Sequence, residues 1–281
     1  MNAIVFNIEH EHHPVQSALT QWAKANGWRI IDLRYAGTLK QYDKVVIYAN
    51  KPASIHAENA KVAWWMCDLR HINDVQNKMP HHQRFDAILL SNKEYLDDYA
   101  DIWQTKAYYM PPCGLVRRGY DDICEEDVVF IGHLTNEKYH TGRAEIIDAI
   151  REVASLKLLM GESFTPEQEG YYKTAKICLS MSIAVDGYTS NRLFNILASG
   201  GFALVKRFPN CEELFKDREH VVYFETAEEA KNLVQYYLEH EDEREAIAKA
   251  GHQHYLKHHT VSHRMDNIID ILNNKTDQFY G

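Results

Sequence analysis

The chain has 281 residues, a formal charge of −9, 45% hydrophobic and 25% charged residues, which is the balance of a soluble globular protein with room for two domains. The acidity argues against nonspecific affinity for polyanions, and the lack of any run of about 18 apolar residues argues against a membrane-spanning helix. Five scattered cysteines, Cys67, Cys113, Cys124, Cys178 and Cys211, are odd in number and lack zinc-site spacing, which points to free thiols in a reducing, cytoplasmic setting.

The first half alternates strand and helix. Apolar strands are predicted at Ala3–Ile8, Arg29–Leu33, Val45–Tyr48, Lys61–Met66, Ala87–Leu90 and Ala107–Met110, with helices at Val15–Ala25 and Asn92–Asp101. A strand beginning this close to the N-terminus leaves no place for a signal peptide. Repeated strand–helix–strand order implies a parallel sheet covered on both faces, with ligands beyond the carboxyl ends of its strands. Two segments lie at such ends. Glu9–His13 (EHEHH) follows the first strand and brings Glu11 and His12 forward as candidate proton acceptors. Its neighbouring imidazoles suit a solvated loop, or one lining a ligand site, better than a metal site, because adjacent residues seldom aim at one ion. The second segment, Trp64–Arg70 (WWMCDLR), carries Asp68, for which pairing with Arg70 or Arg34 is the plain alternative.

Prolines, glycines and charge blocks in PPCGLVRRGYDDICEE mark a linker at 116–126 between domains spanning 1–115 and 127–259. A second strand series follows at Val128–Ile131, Leu156–Met160, Ile177–Ser180, Phe202–Val205 and Val221–Phe224. Its most informative stretch is DGYTSNRLFNILASGG (Asp186–Gly201), a polar turn running into an apolar helix closed by paired glycines. Thr189 or Ser190 can cap that helix. The N–H groups of its first turn, with Arg192, would then face an anion. The alternative is an ordinary crossover helix with a surface arginine. Gly132 and His133 follow the first strand of this domain, where a glycine allows close backbone approach, and Arg143 lies downstream. Amphipathic helices are expected at Ala227–His240 and Asp242–Lys257, and from Thr260 or Ser262 to Leu272.

The ordered set SNRLFNILASGGF, EELF, YYLEHEDEREAIAKAG and HTVSHRM, over roughly residues 171–270, resembles the C-terminal half of group 1 glycosyltransferases. The branch it resembles most is that of the spore-maturation-protein-like enzymes. The resemblance implies α/β architecture of the GT-B type, with two doubly wound Rossmann-like domains facing across a cleft and a last helix, 260–274, returning to the first domain. It implies a metal-independent transferase without a cofactor, acting on a nucleoside diphosphate sugar, UDP- or GDP-linked in the first instance. The acceptor would be a hydroxyl on a glycan, protein, small molecule or modified base in DNA, and Arg117 and Arg118 could add a local basic surface for the last. A non-catalytic nucleotide-binding protein of the same architecture is the second reading.

Carried over residue by residue, the resemblance puts Gly132, His133, Arg143, Asp186, Gly187, Tyr188, Ser190, Asn191, Arg192 and Asn195 around the donor, and likens Asp68 to the aspartate of a W-x-x-D element. One departure stands out. Relatives commonly carry glutamate at Asn195, where a carboxylate accepts from both ribose hydroxyls, whereas an amide offers one acceptor and one donor. A second acidic position is expected eight residues earlier, and Asp186 lies nine earlier, where an Asp-Gly pair is also ordinary turn chemistry.

Overall fold

The computed structural model describes residues 1–7, 14–35, 37, 39–50, 55, 57, 59–66, 84–114, 123–134, 142–160 and 168–276. In chain order the elements are β1 (Asn2–Phe6), α1 (Pro14–Ala25), β2 (Arg29–Asp32), β3 (Lys44–Tyr48), β4 (Lys61–Met66), β5 (Ala87–Leu90), α2 (Leu96–Trp103), β6 (Ala107–Tyr109), β7 (Val128–Ile131), α3 (Arg143–Arg151), β8 (Leu156–Leu159), α4 (Gln168–Thr174), β9 (Ile177–Ser180), α5 (Asn191–Ser199), β10 (Ala203–Lys206), β11 (Val222–Phe224), α6 (Ala227–Glu239), α7 (Glu241–His258) and α8 (Val261–Leu272). The patterning places each strand within two residues of its observed bounds. Helix α2 starts later than expected because the Asn92 carboxamide oxygen accepts the Tyr95 N–H, 3.1 Å, and that Asx turn delays the first helical residue.

The chain forms two compact units, 1–112 with 261–281, and 113–260. The first contains a six-stranded parallel sheet ordered β2-β1-β3-β4-β5-β6. Strand β4 is buried on both faces, as a covered parallel sheet requires. Trp64 packs against Phe85, Tyr99 and Trp103 with ring centroids 5.3–6.0 Å apart and donates its indole N–H to the Ala49 carbonyl, 2.7 Å. Trp65, on the other face, meets Tyr48 edge-on at 5.1 Å. Helix α8 belongs to this unit. Lys61 donates to the Leu272 carbonyl at its end, 2.6 Å, and the fully buried Arg264 grips the Pro111 and Pro112 carbonyls at 2.9 and 3.1 Å.

The second unit contains a five-stranded parallel sheet ordered β11-β10-β9-β7-β8. Successive connections leave β7 in opposite directions, so the topological switch point lies between β7 and β9, where a doubly wound sheet opens a crevice beyond its carboxyl ends. Helix α5 lies on the sheet with Leu193, Phe194, Ile196 and Leu197 buried and ends at Gly200, φ 81°. The incoming chain crosses the middle of this helix. A side chain on Gly114 would begin 2.3 Å from the Phe194 carbonyl oxygen, and Tyr255 fixes the crossing by donating to the Gly114 carbonyl, 2.9 Å. The four described cysteines are buried thiols. No helix among the described residues is long and apolar enough to cross a membrane.

Behind α5 the end of α7 gathers histidines. The rings of His220 and His254 stack at 4.0 Å, those of His254 and His258 lie 4.8 Å apart, and His259 packs on Phe194 and Phe215. Burial lowers the His220 and His258 pKa values and holds His254 at about 4, with the neighbouring imidazoles adding to the effect at His220 and His254 and Lys257 at His258; Glu219 opposes it at His220 and His254. A depressed imidazole binds fewer protons folded than unfolded, so its contribution is present above pH 6.5 and lost as pH falls toward 4. Urea unfolding of the protein should show about 1–2 kcal/mol less stability at pH 5 than at pH 7 from this source. The loss should shrink in His254→Phe. An unchanged acid-side slope in that variant would place the source elsewhere.

Candidate functional site

The carboxyl ends of β7 and β9 carry the second unit's most unusual group of side chains. Arg192, in the first turn of α5, turns back over the sheet. Its Nε donates to the Ile131 carbonyl at the end of β7, 2.6 Å, and one terminal nitrogen donates to the Met181 carbonyl just beyond β9, 3.2 Å. Arg143, the first residue of α3, donates to the same Met181 carbonyl and to the His133 carbonyl, the latter at 2.7 Å. Both guanidiniums lie over the Phe130 ring, 4.7 Å from its centroid for Arg192 and 5.7 Å for Arg143. Two cations are thus drawn to the switch point by main-chain carbonyls and one aromatic face.

Neither arginine is paired with a carboxylate among the described residues. Burial lowers both pKa values, and that of Arg143 falls to about 9, first through desolvation and then through the charge of Arg192. A value near 9 leaves the group charged at neutral pH. Tyr188, 8% exposed, and the buried Tyr172 lie beside the arginines. Taking two like charges out of water beside each other costs free energy that carbonyl dipoles only partly offset, and an arriving anion relieves it.

Gly132 makes this geometry possible. A side chain there would begin 2.3 Å from an Arg192 terminal nitrogen; its own N–H is held by the Leu159 carbonyl, 2.9 Å. The expected side-chain cap on α5 is not formed. Ser190 occupies the N-cap position in extended conformation without a capping bond; its hydroxyl faces Arg192 at 3.4 Å, and its N–H donates to Ser182 Oγ at 3.0 Å. Thr189 Oγ1 is buried without a partner among the described residues. Asn191, the first residue of the helix, is partly exposed.

The remaining candidates are distributed unevenly. His133 is exposed and contributes its carbonyl. Asp186 accepts from the Asn210 carboxamide, 2.8 Å, and Gly187, φ 66°, donates to the Pro209 carbonyl, 3.2 Å, so this pair joins two loops in the manner of a turn. Asn195 is 8% exposed, and its side-chain oxygen is buried without a partner among the described residues. Asp68, Glu11 and His12 lie outside the described residues, as do Arg117 and Arg118. Phe130, Tyr172 and Lys206 were not legible as site residues. Phe130 falls within the apolar run Val128–Ile131, and Lys206 lies just past the run Phe202–Val205. Among the described residues no three of His, Cys, Asp and Glu are placed to hold a metal ion.

Residues 163–270 match the family model described as glycosyl transferase-like. Comparison with curated proteins gives no match. Solved structures share the fold across nearly the whole chain. A glycosyltransferase from Rickettsia africae aligns with TM-score 0.60 at 9% identity, covering 98% of both chains. An α-glucosyltransferase in complex with UDP-glucose and DNA containing an abasic site aligns with TM-score 0.67 at 10% identity, covering 97% of this chain and 99% of the other. An α1,3-fucosyltransferase with GDP-fucose aligns with TM-score 0.55 at 11% identity, covering 100% and 93%. Two Rossmann-like units and these neighbours identify the fold as GT-B; the spore-maturation-like branch has no counterpart among these findings.

Gly132→Ala tests this position. Gly132 has φ 157°, which an L side chain rarely adopts, and the new methyl also displaces the end of Arg192, so the expected loss of stability is about 1–3 kcal/mol, while affinity for a diphosphate anion falls about tenfold or more. Melting temperature and titration calorimetry on one preparation check this; unchanged diphosphate affinity would detach the glycine from the site.

Proposed function

We propose that the protein is a glycosyltransferase that moves a sugar from a nucleoside diphosphate donor to a hydroxyl acceptor. The observation that carries this reading is the pair of arginines at the switch point of the second unit, Arg143 buried and Arg192 partly buried, neither paired with a carboxylate among the described residues. The glycosyl transferase-like match over 163–270 and the GT-B fold support it. UDP-glucose and GDP-fucose accompany two of the neighbours, which makes UDP- and GDP-sugars the first donors to test, and the DNA beside one of them puts modified DNA among the acceptors to test. In this reading Arg192 and Arg143, with the first turn of α5, stabilise the negative charge that grows on the diphosphate as the glycosidic bond breaks. Gly132 and His133 supply backbone around it, Tyr188 lies beside the arginines, and Asp186 and Gly187 hold the loop that leads to Ser190 and Asn191. Asp68, Glu11 and His12 are the candidates for taking the acceptor proton if the reaction inverts.

Incubation with UDP-, GDP-, ADP- and TDP-sugars, followed by detection of released nucleoside diphosphate or of transfer, tests the activity. Arg192→Ala should weaken nucleoside diphosphate binding by one to two decades, because a charge-assisted hydrogen bond contributes about 1.5–3 kcal/mol, and should leave nucleoside binding nearly unchanged. Equal losses for both ligands would remove Arg192 from the phosphate site.

A non-catalytic nucleotide-binding protein is the second reading, favoured by an amide at Asn195 where relatives of the resembled family carry a carboxylate. The buried, unpartnered side-chain oxygen of Asn195 costs roughly 1–3 kcal/mol, which a ribose hydroxyl donating to it would offset. Asn195→Leu should therefore melt at or above the wild-type temperature without ligand and bind nucleoside more weakly. A variant that melts lower and binds nucleoside normally would make Asn195 a packing residue.

A further inference from the structure

Lys206 ends β10, is partly buried, and has neither an ion pair nor a hydrogen bond among the described residues. Its ammonium lies 3.5 Å from where a side chain on Gly142 would begin, and Gly142 immediately precedes Arg143 at the start of α3. In the sheet order β10-β9-β7, α3 follows β7. The Lys206 side chain thus reaches toward the start of the helix that carries Arg143. The end of β9, which β10 adjoins, leads to Met181, whose carbonyl receives both Arg143 and Arg192. A third cation therefore lies beside the helix start that bears one of two arginines unpaired with any carboxylate among the described residues. The three differ in one respect. Carbonyls and the Phe130 ring fix both guanidiniums, while nothing among the described residues holds the lysine.

We propose that Lys206 is a specificity-determining cation that closes on the second phosphate of a bound diphosphate, so that the site selects two linked phosphates over one. The fixed arginines take the phosphate at the switch point, and the free lysine reaches the other. This deepens the donor reading given above and rests on it only for the nucleoside and the sugar. A compact ammonium on a flexible stem suits such a role, since it needs no planar bidentate fit.

Inorganic pyrophosphate and inorganic phosphate are the probes, each compared by thermal shift and calorimetry with wild type, Lys206→Met and Lys206→Arg. The unpaired lysine should be replaceable with no more than a small change in melting temperature. Wild type is expected to bind pyrophosphate at least tenfold more tightly than phosphate. Lys206→Met should lose most of that ratio while keeping its phosphate affinity, and Lys206→Arg should recover much of it. Equal pyrophosphate affinity in wild type and Lys206→Met overturns the proposal, as does a wild type without preference for pyrophosphate. Nucleoside diphosphate sugars tested alongside separate the two ideas. Pyrophosphate selectivity through Lys206 with no nucleotide binding would refute the donor reading alone, and nucleotide binding indifferent to Lys206 would refute this proposal alone.

Discussion

Two neighbouring arginines, one buried and one partly buried, neither paired with a carboxylate among the described residues, impose the constraint on which the second unit is arranged. Like charges at such a distance in a poorly solvated place repel, and desolvation adds to the cost. Their surroundings answer that cost piece by piece. The Met181 carbonyl accepts from both, Ile131 and His133 each accept from one, and the Phe130 ring presents its negative face to the pair. Gly132 leaves the space that the Arg192 guanidinium occupies. These partners come from β7, the end of β9 and the loop after β7, elements that adjoin only because the strand order reverses there. The topology thus locates the charge, and the charge in turn accounts for the glycine.

Much of the architecture was legible because parallel strands buried on both faces read as short apolar runs between turn signals. Val128–Ile131 and Ile177–Ser180 appear in the structure with the bounds their apolar runs imply. The place of Arg192 in the first turn of α5 was legible too, since a polar turn that leads into an apolar helix marks where the helix starts. What could not be read was direction. Nothing in the sequence says that Arg192 folds back over Phe130, that Arg143 meets it at one carbonyl, or that Ser190 leaves the helix uncapped to face the guanidinium. Those facts depend on which strands neighbour one another. Asp186 shows the converse. Its spacing fitted a ligand role only approximately, and the structure gives its carboxylate to Asn210 in a loop–loop contact.

The site also shows how a fold tolerates locally unfavourable chemistry. Around the arginines, buried polar atoms lack partners among the described residues at Thr189, Asn195 and Ser180. Polar groups of this kind would normally be satisfied or replaced. Elsewhere the outcome is mixed: in β4 the Trp64 indole N–H is satisfied by Ala49, while that of Trp65 is buried without a partner among the described residues. A region that gives up stability in this way is where a ligand's hydrogen bonds gain most, since they replace orphaned groups rather than compete with existing bonds.

The division of the chain into units has a consequence for how the protein is made. The second unit is continuous, from 113 to 260, whereas the first closes only with 261–281. Until α8 has been synthesised, Met265, Ile268, Ile271 and Leu272 are missing from the first unit's core, and the Pro111 and Pro112 carbonyls lack the Arg264 side chain that fixes them. The part translated first is therefore the last that can be completed. The second unit is able to fold on the ribosome ahead of it, and a nascent chain cut short before α8 would present an unfinished apolar surface to chaperones and proteases.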